Sequence, residues 1–148
     1  NKEIYDALCQ LEDKKKIESI VNTVSSFWET VGQQFDQWRG VRIGNLSAAE
    51  VRRDYIHTHV VMLQALGIAG KDLIKANPTN WKVKLRNLKK IDWLKSNPVW
   101  DRRVLNNGRV VKNSNSIILG SNVIKKILGV TLNVNEKALE SQFKKNGK

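Results

Sequence analysis

The sequence predicts a mainly α-helical single domain, a helical bundle around a buried central helix with one small β-hairpin. Apolar residues recur at intervals of three and four over long stretches, which is the spacing of one helix face. The stretch 60–69 is apolar on nearly every side, as suits a helix at the centre of a core. An Asn-Gly pair between two short β-prone runs is typical of a hairpin turn. A length of 148 residues is enough for one domain with one core.

The first predicted helix covers residues 14–38, where apolar side chains follow the helical spacing. Gly40 is its predicted stop, and residues 39–45 are predicted to be a loop. Whether residues 4–11 form a separate helical piece stays open. Residues 1–45 together form a helical lead-in to the rest of the domain.

The second predicted helix is the central one. Ser47 and Glu50 make a capping-box pattern that opens it, and it runs over about residues 51–74. Gly67 and Gly70 each cost roughly 1 kcal/mol of helix stability relative to Ala, so they indicate a close helix crossing or a kink. We expect four aromatic residues and one leucine to pack against this helix: Trp28, Phe35, Trp81, Leu85 and Trp93.

Shorter elements are predicted in the second half. Asn77-Pro78 predicts an N-cap and the first turn of a helix that reaches Lys90. Asn97-Pro98 restarts the chain, and residues 102–112 are predicted to form a basic hairpin with Asn107-Gly108 at its turn.

The last part of the chain returns to helix. Residues 113–116 are predicted to be a polar loop, and residues 121–128 a short helix that ends at Gly129. Residues 134–143 are predicted to form a last helix. The tail, 144–148, is expected to fray.

All of the net charge lies in the second half of the chain. Residues 81–148 hold sixteen Lys and Arg against four Asp and Glu, whereas residues 1–80 hold ten of each. The formal charge of +12 is therefore the charge of the second half. A field of one sign attracts a polyanion, and nucleic acid is the commonest one. The charge alone therefore predicts a nucleic acid as the partner.

The residues predicted to bind this nucleic acid are cations of the basic half. On a helical wheel, four of them share one flank of the helix that ends at Lys90, while Trp81, Leu85 and Leu88 face the core. Cations of the hairpin and of the helix before Gly129 complete the set. The ten residues expected to contact phosphates are Lys82, Arg86, Lys89, Lys90, Arg102, Arg103, Arg109, Lys112, Lys125 and Lys126. For any one of them, the alternative is a solvated side chain that serves solubility.

Two further motifs are compatible with base recognition, but a core role or a simple turn is favoured for each. Residues 124–131 resemble the turn of a helix-turn-helix, but the following turn lacks basic residues, and Leu132 and Val134 do not fit its buried contact. The tryptophans of the basic half could stack on bases. Because Trp81 lies on the apolar stripe, we expect all three of them to belong to the core: Trp81, Trp93 and Trp100.

No catalytic residue, metal site or cofactor is predicted. The pair His57 and His59 cannot share an ion on a helix, since residues two apart point about 200° away from each other. His57 is instead expected to pair with Asp54. Phosphate-binding loops, nucleophile motifs and paired carboxylates do not occur in the sequence.

Cellular location is predicted from cysteine content and apolar length. Cys9 is the only cysteine, which excludes an internal disulfide and fits a reducing compartment. The stretch 60–69 is too short to span a bilayer, so no membrane partner is expected. The chain begins with Asn1 rather than Met, and we expect it to be the C-terminal piece of a longer protein.

Several stretches together resemble the C-terminal region of the DndB family, whose members are associated with DNA sulfur (phosphorothioate) modification and carry the so-called DGQHR domain. The similarity covers residues 46–135, the family-like core of the chain. It rests on the order and spacing of residues 53–59, 63–67, 88–93 and 96–100, followed by Gly108-Arg109 and Leu128-Gly129. The DGQHR-type motif itself does not occur in these 148 residues.

The resemblance implies a bacterial, cytoplasmic regulator that binds double-stranded DNA and represses the modification genes. It transfers no catalytic residue onto this sequence. Two alternatives stay open: a module that docks onto other DNA-modification proteins without touching DNA, and an enzyme fragment with a pocket around Asp54, His57 and His59. Oligomer formation is also left open.

Overall fold

The computed structural model describes residue 2 and residues 14–145. Within that part, the chain forms seven α-helices, three short 3-10 helices and one two-stranded antiparallel hairpin, which confirms the predicted mainly α class. The α-helices are α1 (Lys14–Gly32), α2 (Asp36–Arg42), α3 (Ala48–Asp54), α4 (Val60–Ala76), α5 (Trp81–Leu85), α6 (Ser114–Leu128) and α7 (Val134–Lys145). The 3-10 helices are Ile56–Thr58, Arg86–Lys90 and Pro98–Trp100, and the hairpin strands are β1 (Leu105–Asn106) and β2 (Arg109–Val110).

The core is built around α4, which packs along α6. Gly120 of α6 lies at this crossing, where a Cβ atom would stand 3.1 Å from both Met62 Sδ and Val104 Cγ1. The residues predicted to pack the central helix are in the core or against it. Phe35, Trp81, Leu85 and Trp93 are buried, and Trp28 is half-buried.

Gly70 marks a close helix crossing, as predicted. A Cβ atom there would lie 2.2 Å from two atoms of the Phe27 ring. The missing side chain therefore lets α1 press an aromatic ring against the backbone of α4. A Cβ atom added at Gly67 would meet only open space.

The prediction of one helix over residues 14–38 is wrong. The helix ends at Gly32, and Phe35 then adopts an extended conformation (φ −109°, ψ 100°) before α2 begins. This break turns the Phe35 ring into the core, where it is 2% exposed. Gly40 is not a stop, because it lies inside α2 with the Leu46 side chain over it, 2.6 Å from where a Cβ atom would be.

The central helix is also shorter than predicted. Ser47 caps α3 through its Oγ atom, but α3 ends at Asp54. The amide of Ile56 donates to the Trp93 carbonyl at 2.9 Å, and the amide of Lys95 donates to the Asp54 carbonyl at 2.9 Å. These bonds hold the chain in an extended bridge, so the central helix is α4 alone.

Asn77 is not the predicted N-cap. Its Nδ2 atom donates to the Leu73 carbonyl at 3.3 Å and so closes the end of α4. The next helix begins only at Trp81 and tightens into a 3-10 helix after Leu85. Asn97 does cap a helical turn, as its Oδ1 atom accepts from the Val99 amide at 3.1 Å.

The predicted hairpin is present. Asn107 and Gly108 have φ of 49° and 73°, as the two central residues of a type I′ turn require. The predicted loop 113–116 is wrong, because the Asn113 side chain accepts from the Ser116 amide at 2.8 Å and caps α6. Gly129, with φ 71°, ends α6 as predicted.

The last helix is longer than predicted. Helix α7 reaches Lys145, two residues into the segment expected to fray. The possible helical piece at 4–11, Cys9 and residues 146–148 lie outside the described residues. In residues 14–145, no helix has the length and apolar character needed to cross a membrane.

Candidate nucleic-acid interface

A run of basic residues follows the central helix. Between Ala76, where this helix ends, and Asp92 the sequence has five Lys and Arg and no acidic residue. Trp81, Leu85 and Leu88 are buried and fix this segment to the core, as predicted. The four predicted cations of its other side are all exposed, and we call them the basic flank: Lys82, Arg86, Lys89 and Lys90.

The 3-10 winding changes the layout of the basic flank. With three residues per turn, Arg86 and Lys89 lie one above the other. Lys82 is placed by the Trp81 ring, whose centroid lies 5.4 Å from its Nζ atom. No ion pair within residues 14–145 engages any of the four cations. Their charges therefore face solvent and can meet an anionic partner.

The hairpin region keeps three of its predicted cations at the surface. Arg109 and Lys112 are exposed. Arg102 is exposed as well, with its Nε atom 3.9 Å from an Asp101 carboxylate oxygen and its guanidinium 5.8 Å from the Phe143 ring centroid. Lys126, at the end of α6, is half-exposed and lies 3.2 Å from Glu140.

Two of the predicted phosphate contacts are wrong. Lys125 is fully buried, and its Nζ atom pairs with Asp72 of α4 and Glu136 of α7. The Arg103 side chain is 10% exposed, and its guanidinium donates to both carboxylate oxygens of Glu140, at 2.5 and 3.1 Å. Because their charges are enclosed and paired, neither residue can reach a phosphate in this fold.

The carboxylates that enclose these cations come from α7. Glu136 completes a capping box with Asn133, each backbone amide donating to the other side chain at 2.9 Å. Burial raises the pKa of Glu140, but hydrogen bonds and charge from Arg103 and Lys126 outweigh burial and lower it. The sequence signal for this network was the spacing of Glu136 and Glu140, which puts both on one helix face.

The buried carboxylates of α7 also argue against the possible helix-turn-helix. Helix α7 does follow the turn after Gly129, but it begins at Val134. The residues that α7 buries are Glu136 and Glu140, so it is held by ion pairs. Neither Leu132 nor Val134 is fully buried, so they do not make the buried apolar contact expected of a recognition helix.

The predicted tryptophan roles are confirmed. Trp81, Trp93 and Trp100 are buried, and the rings of Trp93 and Trp100 stack with centroids 5.5 Å apart. The indole nitrogens of these two donate to the carbonyls of Leu88 and Asp92, each at 3.0 Å. With their faces in the core, these rings have no surface for a base.

His57 does not pair with Asp54. Its Nδ1 atom accepts a hydrogen bond from Trp38 Nε1 at 3.0 Å, while the Asp54 carboxylate is held by Arg53 at 2.7 Å. Burial lowers the pKa of His57 to about 4, so the ring is neutral at pH 7. Across the described residues, no three His, Cys, Asp or Glu side chains gather as a metal site would need.

Two cations that were not predicted as site residues lie near His59. Its Nε2 atom lies 3.0 Å from the Arg52 carbonyl oxygen, and the Lys95 ammonium donates to the same oxygen at 2.9 Å. Neither Arg52 nor Lys95 was among the ten predicted residues. Only the extended bridge after α3 brings them together.

A family model described as DndB, DNA-sulfur modification-associated, matches residues 2–131. The chain belongs to the DndB family. The match is longer than the predicted family-like core 46–135 at its N-terminal side. It takes in the basic flank, the hairpin and α6, and it stops before α7. Comparisons with curated proteins and with solved structures gave no match.

Proposed function

We propose that this DndB-family chain binds double-stranded DNA and takes part in DNA sulfur modification as a transcriptional repressor of the modification genes. It acts in the bacterial cytoplasm and carries out no chemistry of its own. Membership of the DndB family supports the link to DNA sulfur modification. The observation that supports DNA binding is the basic flank, four exposed cations in a segment without an acidic residue.

Binding would rest on phosphate contacts. Each Lys or Arg placed on a phosphate releases condensed counterions, so affinity grows with the number of neutralised phosphates and falls with salt. Such contacts position the duplex and carry no sequence information of their own. With the two enclosed cations removed, the candidate residues are Lys82, Arg86, Lys89, Lys90, Arg102, Arg109, Lys112 and Lys126.

The test is binding to a short DNA duplex across a salt series. We expect a steep linear fall of log K with log salt for the parent chain. The variant Lys82→Gln, Arg86→Gln, Lys89→Gln, Lys90→Gln should have a shallower slope, by about 0.9 for each phosphate that these side chains no longer neutralise.

A matched control changes four exposed cations in the first half: Lys14→Gln, Lys15→Gln, Lys16→Gln and Arg42→Gln. This variant loses the same formal charge, so it separates a local contact from a net-charge effect. Equal slopes for the two variants would contradict the basic flank as the DNA-binding surface. Absence of parent binding at low salt would overturn DNA binding and favour docking onto another modification protein.

A further inference from the structure

Three cations from separate parts of the chain gather around His59. Arg52 comes from α3, Lys95 from the segment after the 3-10 helix Arg86–Lys90, and Lys112 from the end of the hairpin. The charges of all three act on the imidazole. We call these four residues the His59 cluster.

Neutral oxygens hold two of these cations in place. The Arg52 carbonyl accepts from Lys95 Nζ at 2.9 Å and lies 3.0 Å from His59 Nε2. The Arg52 guanidinium donates to the Thr58 carbonyl at 3.2 Å. A lysine at the end of α3 is a normal helix cap, which accounts for Lys95. Capping does not account for the charge of Arg52, which acts on Lys95, or for that of Lys112, which acts on His59.

No carboxylate forms an ion pair with the cluster in the part of the chain that is described, although the charge of Asp54 acts on Lys95. Arg52, Lys95 and Lys112 take part in none of the ion pairs there. The acidic neighbour is Asp54, and both of its carboxylate oxygens accept from Arg53, at 2.7 and 2.9 Å.

This crowding has an electrostatic consequence. Burial first, and then the charge of Arg52, lowers the pKa of Lys95 despite the opposing charge of Asp54. Burial first, and then Lys95, Arg52 and Lys112, lowers the pKa of His59, against the bond to the Arg52 carbonyl. The repulsion between like charges held together in this way is reduced when an anion binds among them.

We propose that the His59 cluster binds a phosphate of the DNA backbone, as a contact separate from the basic flank. This inference rests on the proposed DNA binding. Arg52, Lys95 and Lys112 provide the charge. His59 is largely buried, and its protonation changes when the phosphate binds. Because a bound phosphate raises the pKa of His59, DNA affinity rises as pH falls through the range where His59 titrates.

The chain has only two histidines, so an NMR titration can follow each imidazole. The pKa of His59 is measured with and without a DNA duplex at about 0.15 M salt, where the Debye length of about 8 Å suppresses distant phosphates. We expect DNA to raise the pKa of His59 by about one unit. His57, enclosed and bonded to Trp38, is the internal control: the charge of His59 acts on it, so its pKa should not rise with that of His59.

The variant Lys112→Gln tests the phosphate site itself, because Lys112 is exposed and its replacement leaves the fold intact. We expect it to flatten the salt slope by about 0.9 and to reduce the response of His59. The basic-flank variant should keep the His59 response at DNA concentrations that saturate it.

The two proposals fail in different ways. A parent chain that binds DNA with an unchanged pKa of His59, and with the same salt slope after Lys112→Gln, overturns the His59 cluster alone. A parent chain that binds no DNA at low salt overturns both proposals.

Discussion

At the scale of single residues, His57 shows how an aromatic enclosure controls a charge. Its ring centroid lies 4.4 Å from that of Phe35 and 5.3 Å from that of Tyr55. The bond from Trp38 occupies Nδ1 and therefore places the proton of the neutral ring on Nε2. Nε2 is buried without a hydrogen-bond partner among the described residues. A charged imidazole would have to give up water here with nothing to replace it.

We predict that His57 makes the protein less stable as the pH falls from 6.5 towards 4. The pKa of His57 is lowered from 6.5 to about 4, so the unfolded chain binds a proton in this range and the folded chain does not. At 1.36 kcal/mol per unit, the loss between pH 7 and pH 5 is about 2 kcal/mol.

Urea unfolding at the two pH values measures this loss of stability. An NMR titration of the two imidazoles shows which histidine causes it. The titration is needed because the pKa of His59 is lowered too. A His57 imidazole that titrates near 6.5 would contradict the enclosure.

At the scale of elements, the crossing of α1 and α4 depends on one of two nearby glycines. Gly70 is buried beneath the Phe27 ring, whereas Gly67 has open space beside it. Both lie inside α4, where glycine costs helix stability relative to alanine. The pair therefore separates packing from intrinsic helix propensity.

Gly70→Ala and Gly67→Ala should have opposite effects on the free energy of unfolding. The methyl group at position 70 would overlap Phe27, so we expect a loss of about 1–3 kcal/mol. The methyl group at position 67 meets nothing, so we expect a gain of up to about 1 kcal/mol. Urea unfolding of the two variants measures both, and a loss of equal size at the two positions would exclude the ring contact as the cause.

At the scale of the whole molecule, Lys125 links three helices. It extends from α6 to Asp72 of α4 and to Glu136 of α7. Asn122 of α6 adds bonds from its amide to the Glu136 carbonyl and the Glu140 carboxylate, at 3.3 and 3.4 Å. The matched part of the chain ends at 131, so this network fastens a helix beyond the family match to the helices within it.

We predict that Lys125→Met destabilises the fold by about 3–5 kcal/mol, because it leaves the carboxylates of Asp72 and Glu136 without their cation. Lys126→Met is the matched control. Lys126 is half-exposed, so its replacement should cost at most about 1 kcal/mol. Urea unfolding of both variants is the measurement, and a similar small effect from each would mean that the buried pairs contribute little.

The basic half illustrates both the reach and the limit of sequence patterns. The apolar stripe of Trp81, Leu85 and Leu88 was enough to predict that the four cations of the basic flank, in the same segment, face solvent. The same reasoning failed for Arg103 and Lys125, because their partners lie 37 and 11 residues further along the chain. A charge count registers a cation in the same way whether or not a distant carboxylate encloses it.

By itself, the sequence determined the helical class, the hairpin turn, the end of α6 at Gly129, the buried tryptophans and the uneven charge. Local chemistry decides each of these, through the helical period, turn residues that accept positive φ, and the cost of exposing apolar surface. Only the tertiary structure decided the breaks at Phe35 and Tyr55, the enclosure of two cations and the meeting of three others at His59. Packing and hydrogen bonds between segments far apart in the chain fix these features, and there burial outweighs local helix propensity.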